Sequence, residues 1–169
     1  IETSETLGFD EKCRKMDEWW DTATRALERY GLSRQIIDMI LESTDLEFRQ
    51  GAQEFFTFLR DHDIPLLILS AGLGNLIEGY LKKKGFFHDN IHIIANYFEF
   101  DDDGSIRKWT KNHVHSLNKN EGHVVDSPYH KQIKTRKNTI LLGDQVEDVR
   151  MAYGLKHDTV FKIGFLNSK

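Results

Sequence analysis

Three short apolar runs constrain the fold of this chain more than any other feature: Pro65 to Leu69, His92 to Ala95, and Asn138 to Leu142. Each is too short for a buried helix. Runs of this kind read as strands covered on both faces, as in a parallel sheet beneath helices. Helical patterns alternate with them. Residues 10–30 repeat Met16, Trp19, Trp20, Ala23 and Leu27 at three- and four-residue steps, with Asp10 the expected N-cap and Gly31 the expected stop. Ser33 is placed to cap a second helix, residues 51–61 form a third, and residues 74–84 a fourth that ends at Gly85. Residues 97–100 and 106–109, joined by Asp101-Asp102-Asp103-Gly104, read as a hairpin. A short helix from Val146 and a last strand over residues 159–163 close the pattern. The alternation predicts an α/β fold of the doubly wound kind.

Composition excludes several alternatives. The net charge of −4 leaves no basic footprint for nucleic acid. No apolar run approaches the ~18 residues a membrane helix needs. The single cysteine, Cys13, rules out an internal disulfide framework and fits a reducing, cytoplasmic setting. The polar, acidic start is unlike a signal peptide.

In doubly wound sheets ligands bind beyond the carboxyl ends of the strands. Two of the apolar runs end there in polar, glycine-flanked residues: Ser70-Ala71-Gly72 and Gly143-Asp144, with Asp148 four residues further on. Either tip alone reads equally well as a turn. Together they suggest a phosphate site beside a metal: Ser70 offers a hydroxyl, and Ala71 and Gly72 offer backbone N–H groups. Asp144 and Asp148 form a carboxylate pair suited to Mg2+. Lys119 lies between the tips in sequence. His113 and His115, at i and i+2, fall on one face of an extended segment but have no third ligand at useful spacing.

These residues together resemble the cytosolic pyrimidine 5′-nucleotidase family of haloacid-dehalogenase-like phosphohydrolases. The likeness runs through RQGAQEFFTFL, PLLILSAGLGNLIEGYL, IIANYFEFDDDGSI, the NKNEG loop, TILLGDQVEDVRMA and FKIGFLN. It implies a haloacid-dehalogenase-like parallel sheet flanked by helices, with residues 1–47 a small helical cap and residues 48–169 the core. It also implies Mg2+-dependent hydrolysis of nucleoside 5′-monophosphates, UMP or CMP foremost, through an aspartyl-phosphate. By the same resemblance Ser70 and Lys119 hold the phosphoryl group, with Ala71 and Gly72 beside them. Asp144 ligates the metal and Asp148 orients a metal-bound water. Glu2 reads the base, and Trp20 faces it.

One part of the pattern is unmatched. The family's first motif, DxD after an apolar strand, has no counterpart; Asp61 and Asp63 spell it but precede a strand. The chain is therefore expected to begin downstream of its nucleophile, to end short of the family's last segment, and to be inactive alone with an incomplete core. Another small-metabolite phosphatase of the superfamily and a non-catalytic nucleotide-binding relic remain alternatives.

Overall fold

The computed structural model describes residues 1–125 and 127–166. It opens with three helices: α1 (Phe9–Arg29), α2 (Arg34–Ser43) and α3 (Ala52–Asp61). Strand β1 (Leu66–Leu73) leads into α4 (Gly74–Lys83) and β2 (Ile91–Asn96). The hairpin of β3 (Phe98–Phe100) and β4 (Ile106–Trp109) follows, then a 3₁₀ turn (Glu121–Val124) and α5 (Pro128–Ile133). Strand β5 (Asn138–Gly143), a second 3₁₀ segment (Val146–Ala152) and β6 (Thr159–Gly164) complete it.

The local signals act much as the sequence suggests. Ser33 caps α2 by accepting the Ile36 N–H. Gly31 takes φ +81° after α1, a conformation that suits glycine. The cap of α1 is a correction: Gly8 is the N-cap, and Asp10 lies in the first turn. There its carboxylate favours the helix dipole instead of accepting a capping bond. His113 and His115 lie on no strand; they sit in an irregular segment between β4 and the first 3₁₀ turn.

The strands pair locally. β1 and β2 run parallel, Leu66 opposite Ile91 and Leu69 opposite Ile94. β5 and β6 run parallel from Asn138 opposite Thr159 to Gly143 opposite Gly164. One continuous sheet is the sequence expectation; the structure has two parallel pairs and the antiparallel hairpin. The reason is visible between the pairs: Leu66–Leu69 of β1 and Asn138–Leu142 of β5 border a single cavity of about 820 Å³. Among the described residues no strand bonds to both of them.

The helices are fixed to the first pair by specific contacts. Lys83 of α4 donates to the carbonyls of Leu41 and Glu42 at the end of α2, where cations suit the exposed carbonyls. Phe48 packs against Phe56, Tyr80 and Phe86 at ring separations of 5.3–5.6 Å. These contacts leave the carboxyl ends of β1, β2 and β5 as the place where polar groups collect.

Candidate active site

The tip of β1 departs from regular pairing. Its register against β2 shifts between Leu69 and Leu73. In that stretch Ser70 Oγ accepts the Gly72 N–H at 3.0 Å. The serine hydroxyl thereby uses an acceptor site and keeps its own proton for donation. The Gly72 N–H, by contrast, is engaged with the serine. Ala71 lines a cavity of about 480 Å³ together with Glu2, Thr3, Trp20, His115 and Ser116.

The tip of β5 is built around Asp148. One of its oxygens, Oδ2, accepts the N–H groups of Asp144 at 3.0 Å and Gln145 at 3.1 Å. The other, Oδ1, lies 2.6 Å from Lys119 Nζ. The Asp148 side chain is 6% exposed and Lys119 17%, so the ion pair is largely shielded from water. Burial alone would raise the carboxyl pKa. The hydrogen bonds from Lys119, Gln145 and Asp144 outweigh it and hold Asp148 below the usual carboxylate range. Asp144 itself is exposed at the strand tip.

Gly143 permits this arrangement. A Cβ there would stand 2.5 Å from both Asp148 Cβ and Oδ2, far inside contact distance. Gly143→Ala is expected to push Asp148 away from Lys119 and lower stability by about 1–3 kcal/mol, the usual cost of overpacking. Chemical denaturation checks it, and an unchanged midpoint would contradict the close approach.

Lys119 is placed by a loop that asparagines hold in shape. Asn118 Oδ1 accepts the His115 N–H and its Nδ2 donates to the His113 carbonyl, both at 2.8 Å. The Lys119 N–H donates to the His115 carbonyl at 3.0 Å. Upstream, Asn96 at the end of β2 grips Val114 and also donates to the Ala71 carbonyl at 2.9 Å. A continuous chain of polar contacts therefore joins the two tips: Ala71, Asn96, Val114, His115, Asn118, Lys119, Asp148.

Helix α1 closes over this loop. The Trp20 ring stacks on His113 with centroids 5.8 Å apart, while Trp19 is 52% exposed. His113 Nδ1 lies 3.7 Å from Asp21 and His115 Nε2 3.5 Å from Asp17, neither making a hydrogen bond. Ser116 donates to Glu2 Oε1, tying the start of the chain to the same loop.

Burial lowers the pKa of both histidines, with Asp21 and Asp17 partly offsetting it. A folded value below the ordinary 6.5 means that the unfolded chain binds protons first as the pH falls. Stability is then expected to decline as pH drops through about 6.5. Urea midpoints at pH 7.5 and 5.5 should differ less in a His113→Gln, His115→Gln variant; an equal difference in both proteins would contradict the assignment.

The structure thus gathers Glu2, Trp20 and Ala71 around one cavity, and Lys119, Asp144 and Asp148 around the other tip. Ser70 and Gly72 flank Ala71. Asn96 and Asn118 were not singled out by sequence reasoning. Asn96 does carry the signal used for the other tips, an apolar run ending in a polar residue.

Among the described residues no three His, Cys, Asp or Glu side chains converge as a metal cluster. The donor chemistry fits Mg2+ held through one carboxylate, because that ion keeps several waters and takes phosphate oxygens as ligands. Asp144 and Asp148 are the carboxylates at this tip, and Asp148 already bonds Lys119 and two backbone N–H groups.

Comparison with known proteins gives the family and the fold. A solved structure, cytosolic 5′-nucleotidase IIIB bound to cytidine, superposes with a TM-score of 0.76 at 29% identity, over 96% of this chain and 55% of that one. The architecture is a haloacid-dehalogenase-like α/β fold. The sequence profile of the pyrimidine 5′-nucleotidase family, UMPH-1, matches residues 1–169, and the chain belongs to that family. Among curated relatives, the human 7-methylguanosine phosphate-specific 5′-nucleotidase is 36% identical over 94% of this chain and 53% of its own length. The mouse protein of the same name is 38% identical over 100% of this chain and 57% of its own. The chain therefore spans between half and two thirds of the length of these relatives.

Proposed function

We propose that this chain supplies the phosphate-holding, metal-holding and base-facing groups of a 5′-nucleotidase that hydrolyses nucleoside 5′-monophosphates. The observation that carries the reading is the shielded Lys119–Asp148 pair, with Asp144 exposed beside it, joined by polar contacts to a cavity of about 480 Å³ at the tip of β1. An ammonium and a hydroxyl donor suit a phosphoryl dianion; a cavity walled by Trp20 and Glu2 suits a base. In this reading Ser70 and Lys119 hold the phosphoryl oxygens, and the tip backbone at Ala71 and Gly72 shapes their approach.

Asp144 holds Mg2+, which when bound neutralises phosphoryl charge and orients the group. Asp148 acts as a positioning residue: it keeps Lys119 in place and fixes the backbone from which Asp144 projects. Residues 1–47 serve as the cap and residues 48–169 as the core. The attacking aspartate implied by the family has no match here, so the reading for this chain covers binding and charge neutralisation.

Relatives named for 7-methylguanosine phosphate and a solved structure holding cytidine leave two bases to compare, with the pyrimidine one first expected here. A cytosolic setting suits a relative named a putative cytosolic 5′-nucleotidase, and no helix among the described residues is long and apolar enough to cross a membrane. Phosphate release by the intact protein from CMP, UMP and 7-methyl-GMP, with Mg2+ or EDTA, tests the proposal. EDTA-sensitive release from one of them is expected; release from none would overturn it.

A further inference from the structure

We infer that Asn96 is a positioning residue that sets the serine tip of β1 and the lysine loop at the correct separation for one phosphoryl group. The inference rests on the proposed nucleotidase reading. Asn96 ends β2 and is 3% exposed. Its amide makes three bonds to two separate segments. Nδ2 donates to the Ala71 carbonyl at 2.9 Å and the Val114 carbonyl at 2.8 Å, and Oδ1 accepts the Val114 N–H at 2.8 Å.

The two bonds to Val114 copy the pairing that a neighbouring strand would give, where the irregular segment has no strand to pair with. The third reaches across to the residue between Ser70 and Gly72. Val114 lies next to His115, whose carbonyl accepts the Lys119 N–H. A shift at Asn96 is therefore passed to both phosphate-facing groups, through backbone on one side and through the asparagine-held loop on the other. No other side chain of the described residues is shown bonding to both segments.

The chemistry of the amide dictates the test. Asn96→Asp keeps the acceptor for the Val114 N–H but, when ionised, places an anionic oxygen against two carbonyl oxygens. Protonation restores one donor. Turnover of the variant relative to wild type is expected to fall about tenfold to a hundredfold at pH 8. It is then expected to recover as the pH is lowered towards 6. The titratable groups packed nearby are His113 and His115 beside Val114, with Asp21 and Asp17 of α1 facing them and Glu2 and His123 acting on His115. Wild type carries the same groups, so the ratio isolates the introduced carboxyl.

Asn96→Ala should lose turnover at every pH. Should that variant not fold, Asn96→Asp decides. A purely structural role would lower the melting temperature and leave both the turnover of folded protein and the pH ratio unchanged. Inorganic phosphate binding to the intact protein gives a second readout, expected to weaken in both variants. Wild type that hydrolyses nucleotides beside variants with wild-type turnover and phosphate affinity would overturn this inference alone. Wild type with no hydrolysis would overturn the nucleotidase reading, and phosphate binding would then judge Asn96 by itself.

Discussion

Lys119→Ala is expected to lower turnover of a nucleoside monophosphate about 10²–10³-fold, the scale of removing one preorganised donor from developing charge. The loss should exceed that of a surface lysine because Lys119 is largely shielded and aimed by its loop. A stability change should accompany it. Asp148 would remain buried with two N–H donors but without the cation 2.6 Å away. Breaking a buried pair costs about 3–5 kcal/mol, and the remaining backbone bonds should bring the loss to the low end.

The acid limb of stability should change as well. In the parent protein the depressed Asp148 pKa adds stability above the ordinary value of 3.8, which is lost as the pH falls through the folded value. Without Lys119 that contribution shrinks, so parent and variant should converge in acid. Urea unfolding at pH 7 and again well below pH 3.8 reads both effects. A variant as stable as the parent at pH 7, with full turnover, would remove Lys119 from the site.

Asp144→Asn is expected to cost turnover on a similar scale for a different reason. A bound metal supplies several kcal/mol of charge stabilisation at phosphoryl oxygens, so its loss corresponds to roughly 10²-fold or more. The neutral amide keeps the size of the side chain and the exposed tip needs no repacking, so folding should be little affected. The signature is therefore a large kinetic loss with an almost unchanged unfolding midpoint, together with weakened dependence on added Mg2+. Lys119→Ala should instead move both. Retained Mg2+ activation in Asp144→Asn would place the metal elsewhere.

Much of this arrangement was legible in the sequence because its signals are local. The apolar runs gave β1, β2 and β5 directly; Ser33, Gly31 and the aspartate-rich hairpin turn behaved as their chemistry requires. Gly143 reads from the sequence as a strand exit; that it must also admit the Asp148 carboxylate appears only in the structure. What stayed hidden depends on contacts far apart in the chain. The division into two parallel pairs reflects which strand edges meet across the cavity, and no pattern within β1 or β5 records that.

The two tryptophans look equivalent at neighbouring positions, yet α1 stacks Trp20 on His113 while Trp19, 52% exposed, borders from its rim the cavity that Trp20 lines. Asn96 reads as a strand end until its amide is seen holding two other segments. Helix α5 was missed although Ser127 caps it by accepting the His130 N–H and Pro128 opens it. At six residues it carries too few turns for an apolar stripe to show.

The central claim is that the tips of β1 and β5 act on one phosphoryl group, and a double-mutant cycle between Ser70→Ala and Lys119→Ala tests it most directly. The cycle is read in kcat/KM for a nucleoside monophosphate with Mg2+. Two groups on the same phosphoryl oxygens should show a coupling of about 0.5–3 kcal/mol. Losses that add to within about 0.3–0.5 kcal/mol would mean that the two tips serve separate sites.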